Sequence, residues 1–312
     1  MKNKPDGKFF IMILLWTVGI LFSPVFSPGE TGNQHIKEKV KINDLTIDYE
    51  IIGTGKPVIM IHGFGVDREV MRGCMEPVFI KTNGWKRIYF DLPGMGKTSG
   101  AKWIKNSDDM LDVTRKFIKK VCPNEKYLLV GESYGGYICR GIVYKEPENV
   151  LGMVLICPLA VPDDSKRDTP KPRIFNRDIS LYESLSPGER RMFDLIVSVQ
   201  TKKVWERFNN EMISGWKKGD HQFQGPLRRI IANYAFSFTV DQLPMPFDKP
   251  SLIFTGRQDA GVGYRDIWNF LEQYPRATFV VLDMAGHALQ IEQETLFNAL
   301  MHELLDRVEN KK

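Results

Sequence analysis

The run Gly131-Glu132-Ser133-Tyr134-Gly135-Gly136 follows directly on the apolar stretch Tyr127-Leu128-Leu129-Val130. A buried strand that enters G-x-S-x-G and leaves as a helix has few ways to close. The two backbones nearly touch, so side chains at Gly131 and Gly135 have no room. The central serine is held in a strained conformation with its hydroxyl pointing outward.

The same alternation of apolar strand and amphipathic helix runs through most of the chain. Strands are expected at 40–42 and 45–51, around an Asn43-Asp44 turn, and at 57–61, 87–90, 127–130, 151–157, 251–255 and 278–282. Helices are expected at 108–121, 135–144, 264–273 and 294–308. This order predicts an α/β fold: a mostly parallel central sheet with helices on both faces, built from residues 39–160 and 250–312. Residues 161–249 break the alternation. They show helix-like patterns near 187–201, 204–216 and 226–238 and no strand of the main type, which reads as a helical lid inserted between two strands.

Hydrolysis by serine needs a nucleophile, a base, a group that orients the base, and donors for the oxyanion. Ser133 is the candidate nucleophile. His287, in Asp283-Met284-Ala285-Gly286-His287 after a late strand, is the candidate base. Asp259, in Thr255-Gly256-Arg257-Gln258-Asp259, would orient it, with Asp283 as the rival. His62-Gly63-Phe64-Gly65 follows the strand at 57–61. Gly63 and Gly65 let that backbone approach a ligand, and His62 braces the loop. The N–H groups of Phe64 and Tyr134 would form the oxyanion hole. Every one of these residues lies at the carboxyl end of a strand, where such sheets bind ligands.

Together with Asp91-Leu92-Pro93-Gly94-Met95-Gly96-Lys97-Thr98, these motifs make the chain resemble the α/β-hydrolase superfamily, in its lidded, esterase-like branch. The resemblance covers about 40–308, and the order Ser–Asp–His matches. It implies a serine hydrolase of a carboxylic ester or lactone with a small to medium apolar acyl group. Serine at the elbow argues against dehalogenases and epoxide hydrolases, which carry aspartate there. Three other readings stay open: hydrolysis of carbon–carbon bonds in ring-cleavage-type diketones, a proline iminopeptidase-like peptidase, and a ligand-binding protein on the same fold. The partner expected is a small molecule.

The N-terminus reads differently. Lys2, Lys4 and Lys8 precede an uncharged, apolar stretch. Residues 1–29 are expected to be an export signal or a retained membrane anchor, which places the rest outside the cytoplasm. Residues 30–38 read as a linker. Cys139 and Cys157 look like small core residues, while a Cys74–Cys122 bridge stays open. The net charge of +5 is small and spread along the chain, so nucleic-acid binding gets little support. No cofactor fingerprint or metal motif is present.

Overall fold

The computed structural model describes residues 35–311. The signal or anchor expected at 1–29 lies outside them. Among the described residues, no helix is long and apolar enough to cross a membrane.

Eight strands form one sheet: β1 (His35–Ile42), β2 (Leu45–Ile52), β3 (Lys56–Ile61), β4 (Trp85–Phe90), β5 (Tyr127–Glu132), β6 (Val150–Ile156), β7 (Ser251–Gly256) and β8 (Ala277–Leu282). Their spatial order is β1-β2-β4-β3-β5-β6-β7-β8. The pairs β1–β2 and β2–β4 are antiparallel, and all others are parallel. Strands β5 and β7 are buried along their whole length. Burial on both faces is why they read as unbroken apolar runs, whereas β2 alternates buried with half-buried residues.

Helices α1 (Glu69–Phe79), α2 (Ser107–Val121) and α3 (Tyr134–Lys145) connect the first strands. Asn106 caps α2 by accepting the Asp109 N–H, with acidic residues in the first turn and lysines in the last. Between β6 and β7 lie α4 (Ile179–Ser184), α5 (Pro187–Ile196), α6 (Lys202–Phe208), α7 (Ser214–Lys218), α8 (His221–Arg229) and α9 (Ile231–Tyr234). Ser186 and Glu189 form a reciprocal cap on α5. Helices α10 (Leu289–Glu292) and α11 (Glu294–Val308) close the chain.

Several sequence expectations need correction. The supposed linker ends before His35, because β1 already begins there and pairs with β2 in full register, His35 opposite Ile52. The helix expected at 264–273 is two 3₁₀ turns, Arg265–Asn269 and Leu271–Gln273. Its buried residues Tyr264, Ile267 and Phe270 recur every three positions, which suits a three-residue turn. The helix expected at 204–216 is present as one unbroken run, in which α6 passes through a π-helical turn at Asn209–Ile213 into α7. The pattern near 226–238 is α8 and α9, with Pro226 inside α8. Helices α1 and α4 escaped the sequence reading. Cys74 and Cys122 form no bridge: all four cysteines are free and buried.

Candidate active site

The loops after β3, β5, β7 and β8 meet at one edge of the sheet. Ser133 sits between β5 and α3 with φ +52° and ψ −114°, a left-handed conformation that costs energy for a residue with a side chain. The packing around it enforces the strain. A Cβ at Gly135 would lie 2.0 Å from the Ile61 carbonyl oxygen, and one at Gly131 would lie 2.5 Å from that of Gly135. The Ser133 N–H also donates to Ile156 at 2.9 Å, which ties the elbow to β6.

His287 and Asp259 reach Ser133 from β8 and β7. Ser133 Oγ donates to His287 Nε2 at 3.0 Å, and His287 Nδ1 donates to Asp259 Oδ2 at 2.8 Å. Asp259 is fully buried. Its other oxygen accepts the N–H groups of Gly261 and Val262 at 2.9 and 3.0 Å. Burial alone would raise the Asp259 pKa, but the His287 charge and these donors outweigh it and hold the carboxyl below the usual carboxylate range. The rival Asp283 is exposed and accepts from Gln258 Nε2 at 2.8 Å instead. Burial also acts to lower the His287 pKa. The Asp259 carboxylate, and then Glu132, outweigh it and push it up to about 9.

The loop after β3 faces the elbow. His62 is buried and held as a neutral imidazole: Nδ1 donates to the Gly63 carbonyl at 2.7 Å, and Nε2 accepts the Leu92 N–H at 2.9 Å. Burial lowers its pKa, against the pull of Asp91. His62 is thus a brace between two loops. Among the described residues, the N–H groups of Phe64 and Tyr134 meet no acceptor, and Tyr134 opens α3, where the helix dipole favours negative charge. The Gly65 N–H turns away to Met95 Sδ. The Phe64 ring packs edge-on against Tyr134, with centroids 5.4 Å apart. Tyr234 of the insertion stacks on Tyr134 at 5.1 Å and meets Phe64 at 5.5 Å.

Three participants escaped the sequence reading. Tyr234 carried no local signal, because its contacts with Tyr134 and Phe64 span a hundred residues or more. Glu292 accepts the N–H groups of Ser198, Val199 and Gly286 at 2.6, 2.8 and 2.7 Å. It lies five residues after His287, and only that proximity could have flagged it. Glu132 stands beside Ser133 in the motif itself. Its carboxylate is buried, with Oε1 3.4 Å from His287 Nε2.

Cys157, Asp259 and His287 could in principle gather around a metal ion, as their donor atoms lie within 4.8 Å of one another. They suit a hydrogen-bonded cluster better. Asp259 and His287 already bond each other, and burial raises the Cys157 thiol well above its usual range, which keeps it neutral.

Comparison with known proteins agrees with this geometry. The chain is similar to the pimeloyl-[acyl-carrier protein] methyl ester esterase of Legionella pneumophila (strain Corby), with 22% identity covering 84% of this chain and all of that protein. It is also similar to a 2-hydroxy-6-oxononadienedioate/2-hydroxy-6-oxononatrienedioate hydrolase of Paraburkholderia phymatum, 24% identical over 84% of this chain and 91% of that one. Among solved structures, an alpha/beta superfamily hydrolase from Oenococcus oeni PSU-1 superposes with a TM-score of 0.76 at 28% identity, covering 84% of this chain and 96% of that one. The profile of the alpha/beta hydrolase fold matches residues 56–294, from β3 into the start of α11. The protein is a member of the α/β-hydrolase family.

Proposed function

We propose that the protein is a serine hydrolase of a carboxylic ester or lactone with a small to medium apolar acyl group. The observation that carries this reading is the hydrogen-bonded chain Ser133–His287–Asp259. Ser133 Oγ attacks the carbonyl carbon while His287 Nε2 takes its proton. Asp259 fixes the imidazole tautomer and holds the resulting charge. The N–H groups of Phe64 and Tyr134 receive the oxyanion, each contributing about 3–4 kcal/mol. His287 returns the proton to the leaving alcohol, and water then releases the acid from the acyl-enzyme.

The aromatic surface of Phe64, Tyr134 and Tyr234 supports an apolar acyl partner. In this reading the insertion is a lid, since Tyr234 covers both residues that offer the oxyanion donors. The methyl ester esterase among the relatives supports ester substrates. The dienedioate hydrolase supports a second reading, carbon–carbon bond hydrolysis by the same three residues. The basic residues ahead of the apolar N-terminal stretch support a site of action outside the cytoplasm.

Hydrolysis of a p-nitrophenyl ester series, from acetate to palmitate, by the wild type and Ser133→Ala tests the proposal. Turnover lost in the variant supports it, and the chain-length optimum sizes the acyl site. Equal turnover in both would overturn it. Turnover of a ring-cleavage dienone with no ester hydrolysis would favour the second reading.

A further inference from the structure

Among the described residues, Glu132 is a buried carboxylate at the reacting centre that accepts no well-formed hydrogen bond, and the donor closest to serving it is the Gly63 backbone N–H. The side chain is about 1% exposed, and neither Oε1 nor Oε2 has a hydrogen-bond partner among the described residues. It is wedged beneath the loop after β3, where a Cβ on Gly63 would lie 2.2 Å from Oε2. Isolated buried carboxylates are costly. Among the described residues, the positive group within reach is His287 when protonated, whose Nε2 lies 3.4 Å from Oε1.

We propose that Glu132 is a second carboxylate partner of His287, acting on the Nε2 side opposite Asp259, that stabilises the imidazolium formed as Ser133 gives up its proton. The inference rests on the reading of Ser133 and His287 given above. While His287 is neutral, the Glu132 charge has no ionic partner within reach, only the Gly63 N–H. When the Ser133 Oγ–acyl bond forms and the Oγ proton passes to Nε2, the charge gains a partner. The contact is thus stronger in the transition state than in the ground state, which is the condition for raising kcat rather than lowering KM.

The surroundings fit. The charged groups facing His287 are Asp259 after β7, Glu132 on β5 and Arg167 in the insertion; the Cys157 thiol and the Tyr234 phenol nearby are neutral. Burial raises the Glu132 carboxyl to about 7, with His287 pulling it down, Asp259 pushing it up and the Gly63 N–H pulling it down. The charge of each group thus favours the charged form of the other.

The test is the pH dependence of p-nitrophenyl ester hydrolysis, and of Ser133 labelling by a fluorophosphonate, in the full-length wild type, Glu132→Gln and Glu132→Asp. In Glu132→Gln the acidic limb of kcat/KM should move down by about one pH unit, and kcat on the plateau should fall about tenfold at similar KM. Glu132→Asp keeps the charge but draws it back from Nε2, so its limb should move less; it carries the test if the Gln variant does not fold. A limb that stays in place in the folded variants, with the wild type active and labelled, overturns the proposal alone. A wild type that neither hydrolyses nor labels overturns the reading of Ser133, and this inference with it.

Discussion

His287 donates its backbone N–H to the carbonyl oxygen of Ile196, the last residue of α5, at 2.8 Å. The contact allows no spacer, since a Cβ on the preceding Gly286 would lie 2.4 Å from that oxygen. The imidazole is therefore positioned by two parts of the chain. Its ring is oriented by Asp259 in the sheet, and its backbone is anchored by the insertion.

Glu292 makes the same connection through side-chain chemistry, receiving two N–H groups from the insertion and one from Gly286. In Glu292→Gln, an amide N–H₂ replaces one of the accepting oxygens and faces a donor. Stability should fall by about 1–3 kcal/mol, the usual cost of a buried group left unpaired, and kcat should fall with it. Burial raises the Glu292 carboxyl to about 7, against the pull of the three backbone donors. A raised carboxyl pKa stabilises the fold fully below the ordinary value of 4.5, and that contribution is lost as pH climbs through 7. The stability gap between wild type and variant should thus be wider at pH 4.5 than at pH 8. Urea melts at the two pH values check this, and an equal or inverted gap refutes it.

Removing members of the Ser133–His287–Asp259 chain should give unequal losses. Ser133→Ala and His287→Ala should each cost about 10⁶-fold in kcat, and the double variant little more, because the residues act as a unit. Asp259→Asn should cost about 10⁴-fold, as the imidazole is then held in the wrong tautomer. Asp283→Asn is the control. It lies outside the site and should leave kcat within a few-fold of wild type. Steady-state kinetics on one ester decide the ranking, and a severe loss in Asp283→Asn would reverse the assignment.

Activity and stability should move in opposite directions with pH. His287 must be neutral to act as base, and its pKa is pushed up to about 9. Log kcat/KM should therefore rise by about one per pH unit and level off near 9. The same raised pKa stabilises the fold fully below 6.5, and that contribution is lost as pH passes through 9. A pH–rate profile beside melting curves of wild type and His287→Gln tests both halves. An acidic limb centred below pH 7 would contradict the first.

The parts of this site that could be read from sequence are those whose cause is local. Ser133 is announced by glycines two residues away on either side, and each of those glycines has a backbone oxygen where its Cβ would go. Asp259 and His287 follow short apolar strands, so their place at the sheet edge comes from the strand pattern alone. The missing parts depend on distant packing. Helix α1 buries Val70, Met71, Cys74, Met75, Val78 and Phe79 at helical spacing, but Pro77 inside it disguises the period. The π-turn at Asn209–Ile213 brings the Glu211 carboxylate to within 2.2 Å of where a Gly73 Cβ would stand, a fit between segments far apart in sequence. The role of Glu132 depends on how deeply the neighbouring loop buries it.

The elbow glycines give a stability prediction that is independent of chemistry. Gly135→Ala would push its methyl into the Ile61 and His62 carbonyl oxygens, at 2.0 and 2.7 Å. These are backbone atoms of β3 and its loop, and they cannot yield as a side-chain tip would. The variant should lose at least about 1–3 kcal/mol, with the loop that carries the Phe64 N–H displaced. Gly188→Ala, in the insertion, has nothing within 4 Å of its Cβ and should be nearly neutral. Thermal melts of the two variants compare the sites directly, and a Gly135→Ala protein with wild-type melting and turnover would refute the close approach of β3 to the elbow.

Tyr234 gives the sharpest test of how the insertion limits the substrate. Its ring is about 4% exposed and covers both Tyr134 and Phe64, and its backbone carbonyl accepts from Ser107 Oγ at 2.7 Å. Ser107 in turn pairs with the Tyr134 hydroxyl at 2.8 Å, so one small network holds insertion, α2 and elbow together. Tyr234→Ala removes the ring but keeps the carbonyl bond. It should cost about 3–5 kcal/mol in stability, as large-to-small aromatic changes do. The space it opens lies over the proposed acyl site, so the chain-length optimum of p-nitrophenyl ester hydrolysis should move to longer acyl groups while turnover of acetate falls. Tyr234→Phe keeps the stacking and should leave the optimum where it is. An optimum unmoved in a folded Tyr234→Ala protein would mean that the acyl group lies elsewhere, and that Tyr234 acts only by bracing Phe64 and Tyr134, the proposed oxyanion donors.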